Sequence, residues 1–390
     1  MIAATQPSQR PADARLLVVD AHGRMRHAKR DDFFTHLRAG DLVIANDAAT
    51  LPASLRGTHE RTGGEIEVRL AGRRSLSPRD VRSFSAIVFG AGDFHTPTER
   101  RPAPPSLAVG DRLALGPLRA TVTALLGHPR LISIAFDGTV DSIWAGIARH
   151  GRPIQYAHMS APLSLWDVWT AVAGPPAAFE PPSAGFVLDW RALAEMRRRG
   201  ISFATITHAA GLSSTGDEAL DAHLPFDEPY EIPVATALAI DDARAEHRRI
   251  VAVGTTVVRA LEHAGADGRS IRPGPGLATE RLTPSTTLHV VDIILSGVHE
   301  PGTSHYQLLG AFASEATLAR ADEMMNAASY RTHEFGDSVL IERADDGMAE
   351  VPFATSSSSL ESCVHAIIDG CGRHRRLAGY RPVTLAPRWC

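Results

Sequence analysis

Hydrophobic and polar positions follow two different rhythms along this chain. Up to about residue 54, and again from about 148, short continuous apolar runs alternate with stretches of helical spacing. Continuous apolar runs of four to eight residues read as buried strands, and i, i+3, i+4 spacing reads as helix. The predicted strands are Leu16–Val19, Leu42–Ala45, Ile201–Thr207, Ile250–Val253, Thr286–Leu295 and Ser338–Ile341. The predicted helices cover 31–37, 143–150, 163–173, 189–199, 242–247, 255–262 and 306–328. Asp31 is placed to cap the first, and Gly200 to stop the one before it. Residues 217–233 read as an acidic loop.

Between residues 55 and 147 the rhythm changes to period two. Glu65–Leu70, Ser85–Phe89, Arg112–Leu115, Ala120–Leu126 and Leu131–Phe136 alternate and are separated by Gly, Pro and Asp. This spacing predicts a small antiparallel barrel or sandwich. The fold expected is therefore an α/β domain, a mixed sheet flanked by helices, with an inserted small antiparallel β-barrel domain. The expected boundaries are 1–54 with 148–344 for the α/β domain and 55–147 for the barrel. Residues 345–390 form an appendage, with a serine linker at 356–359 and a short apolar helix around 364–368.

One stretch concentrates chemistry. Arg249-Ile-Val-Ala-Val-Gly254-Thr255-Thr256-Val-Val-Arg259-Ala-Leu-Glu262 reads as strand, tight turn and helix. A strand end followed by Gly-Thr-Thr at a helix start gathers backbone N–H groups and hydroxyls around one concavity, which suits a carboxylate, a phosphate or a ribose. An ordinary strand-to-helix turn has the same shape. Glu262, three residues after Arg259, is placed for a helix-surface ion pair. Asn46 and Asp47 close another strand, where α/β folds put ligand contacts, although both residues also favour turns. His208 and His299 follow strands in the same way, and Glu300 stands beside His299.

Composition narrows the class. The chain has 390 residues, ordinary apolar and charged fractions, and a formal net charge of −4. No apolar run reaches the ~20 residues that span a bilayer. The start of the chain lacks a basic segment followed by an apolar core, so a cytoplasmic setting is expected. The three cysteines, Cys363, Cys371 and Cys390, stand close to one end, without CxxC spacing, and suggest no disulfide framework. His299-Glu300 and His305 do not match HExxH spacing, so no metal is expected. The acidic balance and absence of a basic, aromatic stripe disfavour a purely RNA-binding module. The absence of a Gly-rich loop after Leu16–Asp20 disfavours a conventional methyltransferase.

Four pieces in order carry a resemblance: Gly40-Asp-Leu-Val-Ile-Ala-Asn-Asp47, Thr62-Gly-Gly-Glu-Ile-Glu-Val68, Ala252 to Glu262, and Tyr330-Arg331 with Gly336-Asp337. Over roughly residues 12–343 the chain resembles the S-adenosylmethionine:tRNA ribosyltransferase-isomerases of queuosine biosynthesis. The resemblance implies an α/β domain with an inserted β-barrel. It implies that S-adenosylmethionine serves as a ribosyl donor and cosubstrate, with no permanently bound cofactor. The acceptor would be the aminomethyl group of a 7-deazaguanine base in the anticodon region of tRNA, giving epoxyqueuosine with loss of adenine and methionine. Such chemistry needs a base beside the sulfonium, an acid for adenine and a site closed to water.

By the same resemblance, Asp47, His208 and His299 are candidate catalytic groups. Asn46, Gly254, Thr255, Thr256, Arg259, Tyr330, Arg331 and Asp337 are candidate substrate-binding residues. The family's two arginines after Asn-Asp are replaced by Ala49 and Ser54, and a histidine of its Pro-Thr-Ala-Gly-Leu-His segment by Val187. These departures keep open a paralogue that binds S-adenosylmethionine and modifies another nucleoside or a small molecule.

Overall fold

The computed structural model describes residues 1–6, 13–212, 215–268 and 270–344. The three cysteines, the serine linker and the apolar helix expected after residue 345 lie outside the described residues. Met1–Asp345 group as one compact unit.

After a short strand at Ile2–Ala3 that pairs with Arg331–Thr332, the main sheet begins with β1 (Arg15–Val19) and β2 (Met25–Lys29), and the chain then crosses to β3 (Leu42–Asn46). All five positions of β3 are buried, as expected of a strand covered on both faces. The segment between them is a 3-10 helix over Arg30–His36, preceded by Lys29 and not capped by Asp31.

Six strands follow: β4 (Ser54–His59), β5 (Glu65–Gly72), β6 (Ser83–Phe89), β7 (Arg112–Leu115), β8 (Leu118–Leu125) and β9 (Leu131–Phe136). They close as an antiparallel barrel in the order β8-β9-β6-β5-β4-β7. Five of these strands match the period-two runs. The sixth, β4, escaped the pattern because two of its inward positions are Gly57 and His59. A Cβ on Gly57 would stand 1.9 Å from the Ala114 carbonyl oxygen, and His59 meets Asp111 at 3.0 Å instead of adding apolar surface. Thr62-Gly63-Gly64 makes the β4–β5 turn, with Gly63 at φ 70°.

After α1 (Val140–His150) the chain returns to the sheet through α2 (Trp190–Arg198), β10 (Ser202–His208), β11 (Glu228–Ile232), α3 (Val234–Ala245), β12 (Ile250–Val253), α4 (Thr255–Ala264), β13 (Gly274–Ala278), β14 (Ile293–Gly297), α5 (Ser304–Leu309), α6 (Glu315–Ala327) and β15 (Ser338–Glu342). The nine-stranded sheet runs β13-β11-β10-β3-β12-β14-β15-β1-β2. Its four central strands, β10, β3, β12 and β14, are parallel. Their carboxyl ends, at His208, Asn46, Val253 and Gly297, therefore share one edge of the sheet. The flanking pairs β10–β11, β11–β13, β14–β15 and β1–β2 are antiparallel. This is the mixed sheet flanked by helices, joined to an antiparallel barrel, that the two rhythms predict.

Several expectations are corrected. The 306–328 helix is two: α5 ends at Gly310, whose Cα leaves only 2.5 Å for a Cβ against Pro284, and Ser314 caps α6 by accepting from Thr317 N at 3.2 Å. The 163–173 helix shrinks to one turn, Leu165–Val168. The acidic loop 217–233 contains β11, and the helix expected at 242–247 starts eight residues earlier, at Val234. The strand expected over Thr286–Leu295 exists only from Ile293. The carboxylate of Glu262 takes the preceding backbone: it accepts from the N–H of His289, Val290 and Val291 at 2.7, 3.0 and 2.8 Å. Glu262 is therefore a buried brace and not half of a surface ion pair.

Candidate active site

The turn after β12 has the shape the sequence suggested. Gly254 precedes α4 with φ 98°, a conformation open to glycine and costly for other residues. Its missing Cβ would meet the Ala184 side chain at 3.5 Å and Thr256 Oγ1 at 3.7 Å, both ordinary contacts, so the backbone angle is what calls for glycine. The turn delivers Gly254, Thr255 and Thr256 to the wall of a cavity at the carboxyl edge of the sheet. Ser296, Gly297 and His299 enter the same cavity from the end of β14, and His305 from α5. A helix N-terminus with two hydroxyls thus faces the cavity, where anionic or hydroxyl groups are favoured.

Arg259 also reaches this wall, but the protein engages its guanidinium. Nη1 donates to Glu228, Nε to the Glu280 carbonyl at 3.0 Å, and Nη2 to the carbonyls of Phe226 and Ala278 at 3.2 and 3.1 Å. Glu228, at the start of β11, additionally accepts from the Gly211 N–H at 2.6 Å. Behind it lies His208, fully buried, with Nε2 3.4 Å from the Glu228 carboxylate. Burial pushes the His208 imidazole down to about 4; Arg259 pushes the same way and Glu228 opposes. His208 is neutral at pH 7 and lies behind the cavity wall.

His299 is better placed. Its Nε2 lies 3.0 Å from Ser296 Oγ, and its ring stands 4.6 Å from that of His305. Burial holds both imidazoles below their ordinary range, His299 far below, with His305 and His333 adding to the effect on His299. Both rings are therefore neutral, with a lone pair, at pH 7.

The other expected residues support the site from outside it. Asn46 is buried and ties β3 to β10: its side chain accepts from the His208 N–H and donates to the His208 carbonyl, each at 2.9 Å. Asp47 accepts from the hydroxyls of Thr205 and Thr207 at 2.9 and 2.6 Å and does not border the cavity. Tyr330 is buried, with its hydroxyl 2.9 Å from His27 Nδ1. Asp337 accepts from the backbone N–H groups of Arg15 and Arg331, both at 2.8 Å, and from both guanidinium groups. It pins the turn 331–337. That turn also needs Gly336, where a Cβ would fall 2.4 Å from the Arg331 carbonyl oxygen. The turn carries Thr332, His333 and Glu334 to a second cavity that adjoins the first.

The sequence reading missed Glu228, His305, His158, His333 and Glu334. His305 sits in the Thr303-Ser304-His305 run after His299. The other four come from segments far apart in the chain, and nothing in their local spacing marks them. At the positions of the family's absent side chains, Ala49 and Val187 are buried, and Ser54 donates to Glu67 at 2.8 Å. Ala48 packs with Ala177, Ala178 and Ala210. No helix among the described residues is long and apolar enough to cross a membrane.

Comparison with known proteins agrees over nearly the full described length. A family model described as "Queuosine biosynthesis protein" matches residues 1–341. The S-adenosylmethionine:tRNA ribosyltransferase-isomerase of Gloeobacter violaceus is 32% identical over 343 residues, covering 87% of this chain and 92% of its own. Its counterpart in Sorangium cellulosum is 31% identical over 371 residues, covering 88% and 96%. That of Thermus thermophilus is 30% identical over 348 residues, covering 86% and 95%. A solved S-adenosylmethionine tRNA ribosyltransferase from Thermotoga maritima overlaps 87% of this chain and 96% of its own, with 21% identity and a TM-score of 0.45. The chain belongs to the queuosine biosynthesis protein family.

Proposed function

We propose that this protein is an S-adenosylmethionine:tRNA ribosyltransferase-isomerase. It transfers the ribosyl part of S-adenosylmethionine to 7-aminomethyl-7-deazaguanine in the anticodon region of tRNA and rearranges it to the epoxycyclopentanediol of epoxyqueuosine. Adenine and methionine leave. On this reading residues 55–147 are an inserted barrel domain within the α/β domain of 1–54 and 148–344, and the enzyme works in the cytoplasm.

One observation carries the reading: a glycine-led helix N-terminus and a neutral histidine line the same cavity. The N–H groups of α4 with the hydroxyls of Thr255 and Thr256 suit the methionyl carboxylate or the ribose hydroxyls. His299, with its lone pair and with Ser296 orienting the ring, is the base that removes the proton beside the sulfonium. Arg259 acts through Glu228, which it holds against the cavity wall. His208 acts from behind that carboxylate. Asn46 and Asp47 position the ends of β3 and β10, and Tyr330, Arg331 and Asp337 position the 331–337 turn. Pro181, Pro182 and Ala184 on the wall limit access of water to intermediates.

The test is direct. The protein, S-adenosylmethionine and tRNA carrying the aminomethyl base should release free adenine. If no adenine forms while a relative turns over in parallel, the reading fails.

A further inference from the structure

The second cavity shares Glu180, His299 and His305 with the first and adds groups that the reaction outlined above has not used. Four carboxylates line it: Glu99, Glu180, Glu300 and Glu334. Four imidazoles line it as well, His158, His299, His305 and His333, and no lysine or arginine does. Such a wall repels phosphate and favours an organic cation. No group of three or more His, Cys, Asp or Glu side chains among the described residues is arranged to hold a metal ion.

Within this cavity two rings are stacked. The planes of His158 and His333 lie 9° apart, with centroids at 4.2 Å, and Tyr156 continues the column on His158 at 6.1 Å and 13°. His158 Nε2 lies 3.2 Å from Glu334 Oε2. Burial raises the Glu334 carboxyl, while hydrogen bonds to His158 and to its own backbone N–H lower it, and the net shift is below its ordinary range. Glu334 is thus an anion at neutral pH, and the imidazole it orients is directed by charge. His333 sits at φ 69°, rare for a residue with a side chain, and such angles persist where the surroundings enforce them. Here the Asp337 brace does so.

A carboxylate-held imidazole in an acidic chamber fits a particular task. A primary amine is protonated at neutral pH and has no lone pair until a base removes the proton. We propose that this chamber binds the ammonium form of the acceptor's aminomethyl group, and that His158, oriented by Glu334, takes its proton. With Nε2–H turned to Glu334, Nδ1 receives the proton. The ammonium becomes a neutral amine and His158 becomes imidazolium; the proton transfer is balanced within the pair, and the amine nitrogen is left with the lone pair that nucleophilic transfer requires. The proposal rests on the substrate assignment above. The groups that face His158 are Glu334 and His333 from the 331–337 turn and Tyr156 from its own segment. Glu300 and His299 lie after β14, His305 on α5, and Glu180 beside Tyr156.

The test follows transfer to tRNA, not adenine release alone, in the full chain between pH 6.5 and 9. H158N and E334Q should each slow transfer about 100-fold at pH 7, within the range of acid–base catalysis, while calorimetry shows S-adenosylmethionine binding unchanged. The H158N rate should then climb about tenfold per pH unit relative to wild type, because solvent takes over deprotonation of the amine. Wild-type rates in both variants, or a loss that no pH rescues, overturn the proposal while leaving the overall reaction standing. No transfer by the wild-type protein overturns both.

Discussion

Arg259 on α4 donates a hydrogen bond to the carboxylate of Glu228 at the start of β11, and both side chains are buried. This pair joins the helix that presents the Gly-Thr-Thr turn to the strand that borders His208. Breaking a buried pair by removing one partner costs about 3–5 kcal/mol, because an unpaired charge remains. R259M should lower unfolding stability by that amount in urea titration and weaken S-adenosylmethionine binding with it. A loss under about 1 kcal/mol, the range of an exposed pair, would show that the pair is not buried in solution.

Glu262 provides a second test of burial. Its carboxylate serves three backbone N–H groups ahead of β14. Leaving buried donors unsatisfied costs about 1–3 kcal/mol each, less where water can enter. E262A should therefore destabilise the protein by about 2–4 kcal/mol, measured by chemical denaturation. A helix-surface ion pair would give only about 0.2–0.5 kcal/mol.

The same residue shows where sequence reading stops. The architecture was legible because its signals are local: continuous apolar runs for β3 and β12, period two for five barrel strands, Gly-Thr-Thr for the start of α4. What was not legible depends on partners distant in the chain. Glu262 looks like a surface residue until the 289–291 backbone arrives beside it. β4 hides because Gly57 makes room for Ala114 and His59 pairs with Asp111. α5 and α6 part at Gly310 because Pro284 presses there. The candidate site divides in the same way. The 254–256 turn and His299 were visible, while His158, His333 and Glu334 meet only through the turn that Asp337 pins.

Stability should depend on pH through His208. Its folded-state imidazole lies at about 4 against an ordinary 6.5, chiefly from burial. Between these values the unfolded chain binds a proton that the folded chain refuses. The stabilisation is therefore fully present above pH 6.5 and is lost as pH falls toward 4, at up to about 1.4 kcal/mol per pH unit. His299 and His305 act in the same direction. H208F should flatten this limb in denaturation curves taken from pH 7 to pH 4. An unchanged slope would mean that His208 is solvated.

Gly254 should tolerate substitution poorly for reasons of backbone angle alone. A side chain at φ 98° and ψ 152°, a region essentially confined to glycine, costs about 1–3 kcal/mol. G254A should lose that much stability and, if the turn relaxes to avoid the strain, bind S-adenosylmethionine roughly tenfold more weakly, about 1.4 kcal/mol. Calorimetry of the variant beside wild type measures both effects. Unaltered affinity and stability would remove the turn from the ligand site.

The most direct measurement is the product balance of one reaction. Protein, S-adenosylmethionine and tRNA bearing 7-aminomethyl-7-deazaguanine are incubated together, and the small molecules and digested nucleosides are quantified. Our account predicts adenine, methionine and epoxyqueuosine in equal amounts. S-adenosylhomocysteine in place of adenine, which would mark methyl transfer, or adenine without epoxyqueuosine, would contradict it.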